Sequence, residues 1–493
     1  MEILTVIIIS LITFFTRVIN LLNIPIFTDE AIYIRWAQIG LNDPAHRFIS
    51  LTDGKQPMLT WLMYPMLRIF PDPLFAGRFV SVLSGVLTVM GIYLLARELF
   101  NKKTALLACG LYIISPFALI YDRLALMDSL LSSFAVWSLY LEVLLVRKLR
   151  LDIALILGFV TGLGLLTKSS AFFFIYLLPF SLLLFNYSEP KKITLLFKWL
   201  GLILLGSIIS IFMYNSLRLS PWFYIINLKN HVFIISFVEF VKHPFDLFIG
   251  NMTGLLGMLT GYLTLPFSIF IFLGFLWSVF HRDKKILLLG AWFIFPFLSL
   301  AAFGIVIFPR FVLFMVIPLL IIAAYLFEKI SRSIIKYNKY LPFFLLLIVS
   351  VSIRQSYFIM FNPIKANIPS TDRNQLFDDW PSGYGVKEVI NYLYKQAEKG
   401  KIVVGTEGTF GLNPAVYEIY LGTNKNVEIH GFWPVSQVPQ LLLNAAKQYP
   451  TYLIFKEKQD IPVEWPLKLI AKYQRGTGKT YLYFYQVDAS KIK

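Results

Sequence analysis

The sequence predicts a polytopic α-helical membrane protein with a soluble α/β domain at its C-terminal end. Three observations carry that reading. The 493 residues are 57% hydrophobic and only 15% charged, with a mean hydropathy of +0.68, more apolar surface than a soluble chain of this size carries. Apolar runs of span length recur through the first 360 or so residues. Beyond about residue 361 the runs shorten, and Pro, Asn, Asp and Gly come in, as in Asn362-Pro363 and Trp380-Pro381-Ser382-Gly383.

About eleven runs have the length of a membrane span, near 3–22, 79–96, 104–121, 125–146, 152–167, 170–186, 194–213, 255–280, 286–303, 308–327 and 341–360. The run over 251–280 is long and rich in glycine (Gly250, Gly254, Gly257, Gly261), which suits a re-entrant piece ahead of the true span. With the N-terminus cytoplasmic, the inside connections are Arg97 to Lys103, Arg147 to Arg150, Lys191-Lys192, Arg282 to Lys285, and Lys329 to Lys339. All are basic, while the outside connections at Asp122-Arg123, Lys168 and Arg310 hold one cation each, as the positive-inside rule requires. An odd span count then sets the C-terminal domain outside the cytoplasm. The net charge of +17 is explained by these loops, and no nucleic-acid partner is expected. The one cysteine, Cys109, lies in an apolar run and excludes an intramolecular disulfide or a cysteine-based zinc site. The N-terminal run has no small-residue cleavage site and reads as a retained span.

The expected division is a transmembrane module over 1–361 and an extracytoplasmic domain over 362–493. Two long outside loops interrupt the module, 23–78 and 214–250. The first holds a helix from Thr28, with Thr28 as N-cap, and an amphipathic stretch from Pro57 to Phe70; both suit interfacial helices. In the tail, periodicity predicts helices over 386–399, around Tyr417-Glu418 and over 437–448, with strands at 401–405, 427–430, 451–456 and 480–487.

Within the first loop stand two adjacent acids, Asp29 and Glu30. A carboxylate there suits a general base that removes a hydroxyl proton as a bond forms. Acids in the first turn of a helix also favour its dipole, and these residues alone leave the two roles level. His231 and His243, about twelve residues apart with no cysteine nearby, read as surface residues. Trp222, Phe223 and Tyr224 fit sugar stacking and an interfacial belt equally. The glycine loop from Gly405 to Gly411 lacks a following Lys-Ser/Thr, and Gly478-Lys479-Thr480 lacks the glycine a phosphate loop needs at Tyr473; both read as turns.

The order of motifs is more specific than any one of them. Arg17, Asn23-Ile24-Pro25, Asp29-Glu30, Gly54-Lys55-Gln56-Pro57 and Ala76-Gly77-Arg78-Phe79 are followed by Arg123 through Asp128, Gly162 through Lys168, and Phe308-Pro309-Arg310-Phe311 with Pro318. Over about residues 1–330 this resembles the C-type (GT-C) membrane glycosyltransferases, and within them the protein-mannosyltransferase and lipid A aminoarabinose-transferase group. The sequence departs from that pattern where Lys55-Gln56-Pro57 replaces Lys-Pro-Pro and Thr167-Lys168-Ser169 replaces Thr-Lys-Gly.

The resemblance implies an inverting glycosyltransferase at the outer face of the cytoplasmic membrane. Its donor would be a polyprenyl-phospho-sugar and its acceptor a hydroxyl on a glycan, lipid or protein. Asp29 is then the base, with Glu30 orienting the helix or the acceptor. Lys55, Arg123, Asp128, Lys168 and Arg310 are the expected substrate-binding residues. Fixed cations stabilise the charge that develops on a phosphate leaving group, although each also fits a side chain snorkelling to the headgroups. Arg123 and Asp128 are expected to pair or to line a cavity together, and Arg17 to make a structural or headgroup contact. No cofactor is implied; some relatives hold a metal near the second loop, but these residues establish no metal site. An oligosaccharide ligase or oligosaccharyltransferase shares the architecture. A transporter or lipid flippase would call for broken helices in two repeated halves, and an envelope scaffold would leave the first-loop pattern unexplained.

Overall fold

A computed structural model describes residues 2–334 and 341–491, so part of the expected basic connection from Lys329 to Lys339 lies outside the described residues. Packing divides the chain into two compact units, one made of 1–21, 45–62 and 78–369, the other of 22–44, 63–77 and 370–493. The expected division at 361/362 kept the whole first loop with the spans; packing groups most of that loop with the tail.

The first unit is helical. In chain order its helices are α1 (Glu2–Val18), then, after α2 (Thr28–Asn42) of the other unit, α3 (Met58–Ile69) and α4 (Pro73–Leu99), whose residues are divided between the units, and α5 (Lys102–Ile114), α6 (Pro116–Tyr121), α7 (Met127–Lys148), α8 (Leu151–Leu165) and α9 (Phe172–Tyr176). There follow α10 (Lys192–Asn215), α11 (Ile225–Phe233), α12 (Phe237–Lys242), α13 (Phe248–Leu263), α14 (Leu265–Phe280), α15 (Lys284–Phe303), α16 (Leu313–Ile334) and α17 (Leu341–Phe361). Among the described residues five stretches are long and apolar enough to cross a membrane, or six if the pair α13–α14 counts as one span. That pair is bent by 112° at Thr264, whose φ is 67°, where the sequence suggested a re-entrant piece. Other expected spans are interrupted. The run at 104–121 breaks at Ser115, whose hydroxyl caps α6 with Pro116 in its first turn. The run at 170–186 ends in a 3-10 stretch, Leu178–Leu184, containing Pro179. The expected count of about eleven spans is therefore not met by eleven continuous helices. Where α8 and α10 cross, glycines let the backbones approach: a Cβ on Gly158 would stand 2.7 Å from the Gly206 carbonyl oxygen, and Ser210 donates to the Gly158 carbonyl at 2.9 Å.

Charge is buried at the end of α1. Arg17 and Asp122 form an ion pair at 3.1 Å with almost no exposure. Tyr112 and Ser129 donate to the same carboxylate at 2.9 and 2.6 Å. Arg123, expected to pair with Asp128, instead donates to the carbonyls of Thr16, Arg17, Ile19 and Asn20. The last carbonyls of a helix lack intrahelical donors, and this guanidinium supplies them.

The second unit carries a five-stranded sheet in the order β2-β1-β3-β5-β4, with β1 (Ile402–Glu407), β2 (Val427–Phe432), β3 (Thr451–Phe455), β4 (Leu467–Gln474) and β5 (Tyr481–Val487). β1 is parallel to β2 and β3, and β5 is antiparallel to β3 and β4. Its helices are the short α18 (Ser370–Arg373), α19 (Val386–Ala397), α20 (Leu412–Leu421) and α21 (Gln440–Ala446). α2 packs on α20 through Arg35 and Glu418 at 2.8 Å and Gln38 to the Ile419 carbonyl at 3.0 Å. The four expected strands are present; β4 was not foreseen.

Asp122→Ala leaves the Arg17 guanidinium buried without its counter-charge. Removing one partner of a buried pair costs about 3–5 kcal/mol, so a thermal scan of the full-length protein in detergent is expected to show a large fall in midpoint, and Asp122→Asn a smaller one.

Candidate functional site

In the second unit, the backbone before α2 is pinned to the tail. Ile26 accepts from Gly383 N at 2.8 Å and Thr28 N donates to the Pro381 carbonyl at 3.1 Å, with Phe27 and Ser382 forming a β-bridge. The approach is close enough that a Cβ on Gly383 would lie 2.6 Å from the Ile26 carbonyl oxygen. Thr28 is not the N-cap expected of it, because its hydroxyl donates to the Pro381 carbonyl at 3.0 Å. The cap is Glu30, fully buried, whose Oε2 accepts from Phe27 N at 2.9 Å. Asp29 is half-buried. The adjacent acids therefore differ in environment, Glu30 fully buried and closing its own helix, Asp29 half-buried.

In the first unit, three of the expected substrate-binding cations gather on two phenyl rings. Lys55 follows Gly54, whose φ of 67° favours glycine, and its Nζ lies 5.0 Å from the centre of Phe233. Phe233 meets Phe311 edge-to-face at 5.9 Å. The Phe311 ring has Lys168 Nζ at 4.3 Å and the Arg310 guanidinium at 5.9 Å, and Arg310 also lies 4.6 Å from Phe308. Lys168 pairs with the buried Asp128 at 2.6 Å. Lys55, Asp128, Lys168 and Arg310 thus belong to one cluster, whereas Arg123 is engaged at the end of α1.

Phe233 was missed by sequence reasoning, which looked at its neighbours. It ends α11, and α11 is held over the first loop by Lys229 and Asp53 at 2.5 Å. A Cβ on Gly54 would lie 2.6 Å from Lys229 Cβ. Trp222 and Phe223 pack against Leu51, Leu166, Leu217 and Ile226, while Tyr224 is exposed. His231 and His243 are exposed, the latter 3.5 Å from Asp246. Among the described residues no group of His, Cys, Asp and Glu is gathered as for a metal ion. Gly405 to Gly411 joins β1 to α20, and Gly478 lies in the turn between β4 and β5.

Residues 54–214 match the sequence model of a family described as dolichyl-phosphate-mannose-protein mannosyltransferase. The chain is similar in structure to ArnT from Cupriavidus metallidurans, with a TM-score of 0.60 for the apo state at 14% identity, covering 100% of this chain and 99% of ArnT. ArnT bound to undecaprenyl phosphate gives 0.59 at 14% identity, with the same coverage. The archaeal oligosaccharyltransferase AglB from Archaeoglobus fulgidus, in complex with an inhibitory peptide and a dolichol-phosphate, gives 0.51 at 15% identity over 91% of this chain and 68% of AglB. Comparison with curated protein sequences finds no match.

Gly383→Ala forces a methyl group against Ile26. Overpacking costs about 1–3 kcal/mol, so this variant is expected to unfold at lower temperature than wild type in the same detergent scan.

Proposed function

We propose that the chain is an inverting glycosyltransferase that moves a sugar from a polyprenyl-phosphate carrier to a hydroxyl acceptor at the outer face of the cytoplasmic membrane, with its N-terminus cytoplasmic. The observation that carries this reading is the gathering of Lys55, Lys168 and Arg310 on the Phe233–Phe311 pair. Three half-buried cations brought together beside Asp128 offer hydrogen-bond donors and positive charge to an anionic group. ArnT and AglB have been seen with undecaprenyl phosphate and dolichol-phosphate, and the shared fold supports the same class of carrier here.

The acceptor oxygen attacks the anomeric carbon as the bond from that carbon to the phosphate oxygen breaks. Asp29 takes the hydroxyl proton, and the polyprenyl phosphate leaves with the bonding electron pair. Its charge grows through the transition state, so the cations gain more there than in the ground state. Glu30 orients the helix that bears the base. Asp128 holds Lys168 in place and offsets part of the cluster's charge before the donor arrives.

Two measurements test these roles. Detergent-solubilised protein given radiolabelled polyprenyl-phospho-sugars should transfer label to acceptor, and Asp29→Asn should abolish transfer while still binding polyprenyl phosphate; transfer at wild-type rate by that variant refutes the base. Phe311→Leu removes about 1–2 kcal/mol of cation–π attraction, so donor binding should weaken roughly tenfold, with Phe311→Tyr close to wild type.

A further inference from the structure

In the first unit, α16 starts beside Phe311 and its cations and runs away from them. From Leu313 to Lys329 it covers about 24 Å at the rise of an α-helix, so Lys329 stands at the opposite edge of the membrane unit. The connection from α14 to α15, His281-Arg282-Asp283-Lys284-Lys285, lies at that same edge, because Trp277, one turn before it, meets Lys329.

The cations of this edge rest on a chain of rings. Lys329 Nζ lies 3.9 Å from the centre of Trp277 and 5.6 Å from that of Tyr325. Tyr325 stacks at 4.3 Å on Phe100, in the connection from α4 to α5, and Lys285 Nζ lies 5.4 Å from Phe100. His281 stacks on Trp277 at 4.0 Å. The nearby acids are engaged elsewhere. Asp283 accepts from Lys285 N at 3.1 Å and from the Tyr325 hydroxyl at 3.3 Å, and Glu328 pairs with Arg332. Among the described residues neither Lys285 nor Lys329 forms an ion pair. The positive-inside rule accounts for lysines in such connections but does not call for rings beneath them. A ring holds an ammonium less strongly than a carboxylate does, so an arriving anion meets little competition.

An apolar surface leads to the same place. α14 packs on α16 through Phe270, 4.4 Å from Phe327, and through Gly274, where a Cβ would meet Leu326. Another face of α14 bears Leu265, Ile269, Phe272, Leu273, Leu276 and Phe280, all exposed and spaced as one helical stripe. Trp277, 37% exposed, borders that stripe and carries Lys329. Exposed apolar side chains and lysines without acidic partners thus meet at one indole.

We propose that this edge binds an anionic phospholipid, with its phosphate at Lys329 and the basic groups around Trp277 and its acyl chains along the α14 stripe. The positive charge selects an anionic head over a zwitterionic one, and the stripe selects a lipid over a free anion. In the proposed topology this is the cytoplasmic leaflet, the one that holds anionic lipid. The inference goes beyond the proposed function: it concerns the membrane edge away from Lys55, Lys168 and Arg310 and is independent of Asp29 as the base.

The test uses full-length protein in detergent, stripped of endogenous lipid, and native mass spectrometry with phosphatidylglycerol or phosphatidylcholine of the same acyl chains. Wild type should bind phosphatidylglycerol roughly tenfold more tightly. The double variant Lys285→Gln/Lys329→Gln should lose that preference. Lys191→Gln/Lys192→Gln, which removes two exposed cations from another basic connection, should keep it. Phe272→Ser/Phe280→Ser, at exposed positions of the stripe, should weaken the binding of both lipids. Equal affinity for the two lipids, or loss of the preference in both charge variants alike, overturns the site. Displacement of phosphatidylglycerol by an equal concentration of inorganic phosphate also overturns it, since the stripe would then play no part. Displacement by undecaprenyl phosphate at equal concentration would assign this edge to the carrier instead and equally overturns the inference.

Discussion

The carbonyl end of the first helix is the constraint on which the membrane unit depends. A helix that stops inside protein leaves its last carbonyl groups without donors and a partial negative charge at its end. Here two fully buried guanidiniums answer it, with a third, Arg17, buried beside them. Arg123 takes the carbonyls of the last turn, Arg78 that of Leu21 at 2.8 Å, and Arg17 turns back to Asp122. Such a concentration of positive charge in low dielectric is tolerable because the carbonyl dipoles and one carboxylate converge on it. The exit of the chain toward the first loop is thereby fixed by electrostatics and not by apolar packing alone.

A different solution holds the second group of cations. Lys55, Lys168 and Arg310 gather on two phenyl rings, with Asp128 on Lys168. A ring face attracts a cation less strongly than a carboxylate does. Full pairing with acids would hold the cations well but would repel an arriving phosphate. The rings hold the cations in position beside one another, where a leaving group that becomes more negative as the bond breaks would gain from them.

The sequence was legible where one residue type forces one outcome. Composition gave the membrane class, and alternation gave four of the five strands. β4 was hidden because its alternation breaks after Leu469, where Ile470 and Ala471 follow in succession and the ladder is irregular. Lys55, Lys168 and Arg310 were found through motif order, but the rings that gather them were not, since Phe233 and Phe311 are two of 46 phenylalanines. The Arg123–Asp128 pairing failed for a related reason. Proximity along the chain suggested a pair, yet Asp128 meets Lys168, 40 residues away, and Arg123 meets carbonyls more than 100 residues away. Long-range partners of this kind leave no local trace.

The adjacent acids of the first loop show how a structural role and a chemical one become separated. Successive residues on an α-helix point about 100° apart. Glu30 is committed inward, because it is fully buried and its carboxylate accepts from Phe27 N at 2.9 Å. Asp29, one position earlier on the helix, is half-buried. Thr28 on the other side is held to the Pro381 carbonyl through both its amide and its hydroxyl, so the turn bearing Asp29 is fixed at two points. The helix cap and the proposed base are therefore not competing explanations of one acidic pair: Glu30 makes the cap, and the base is proposed at the residue beside it.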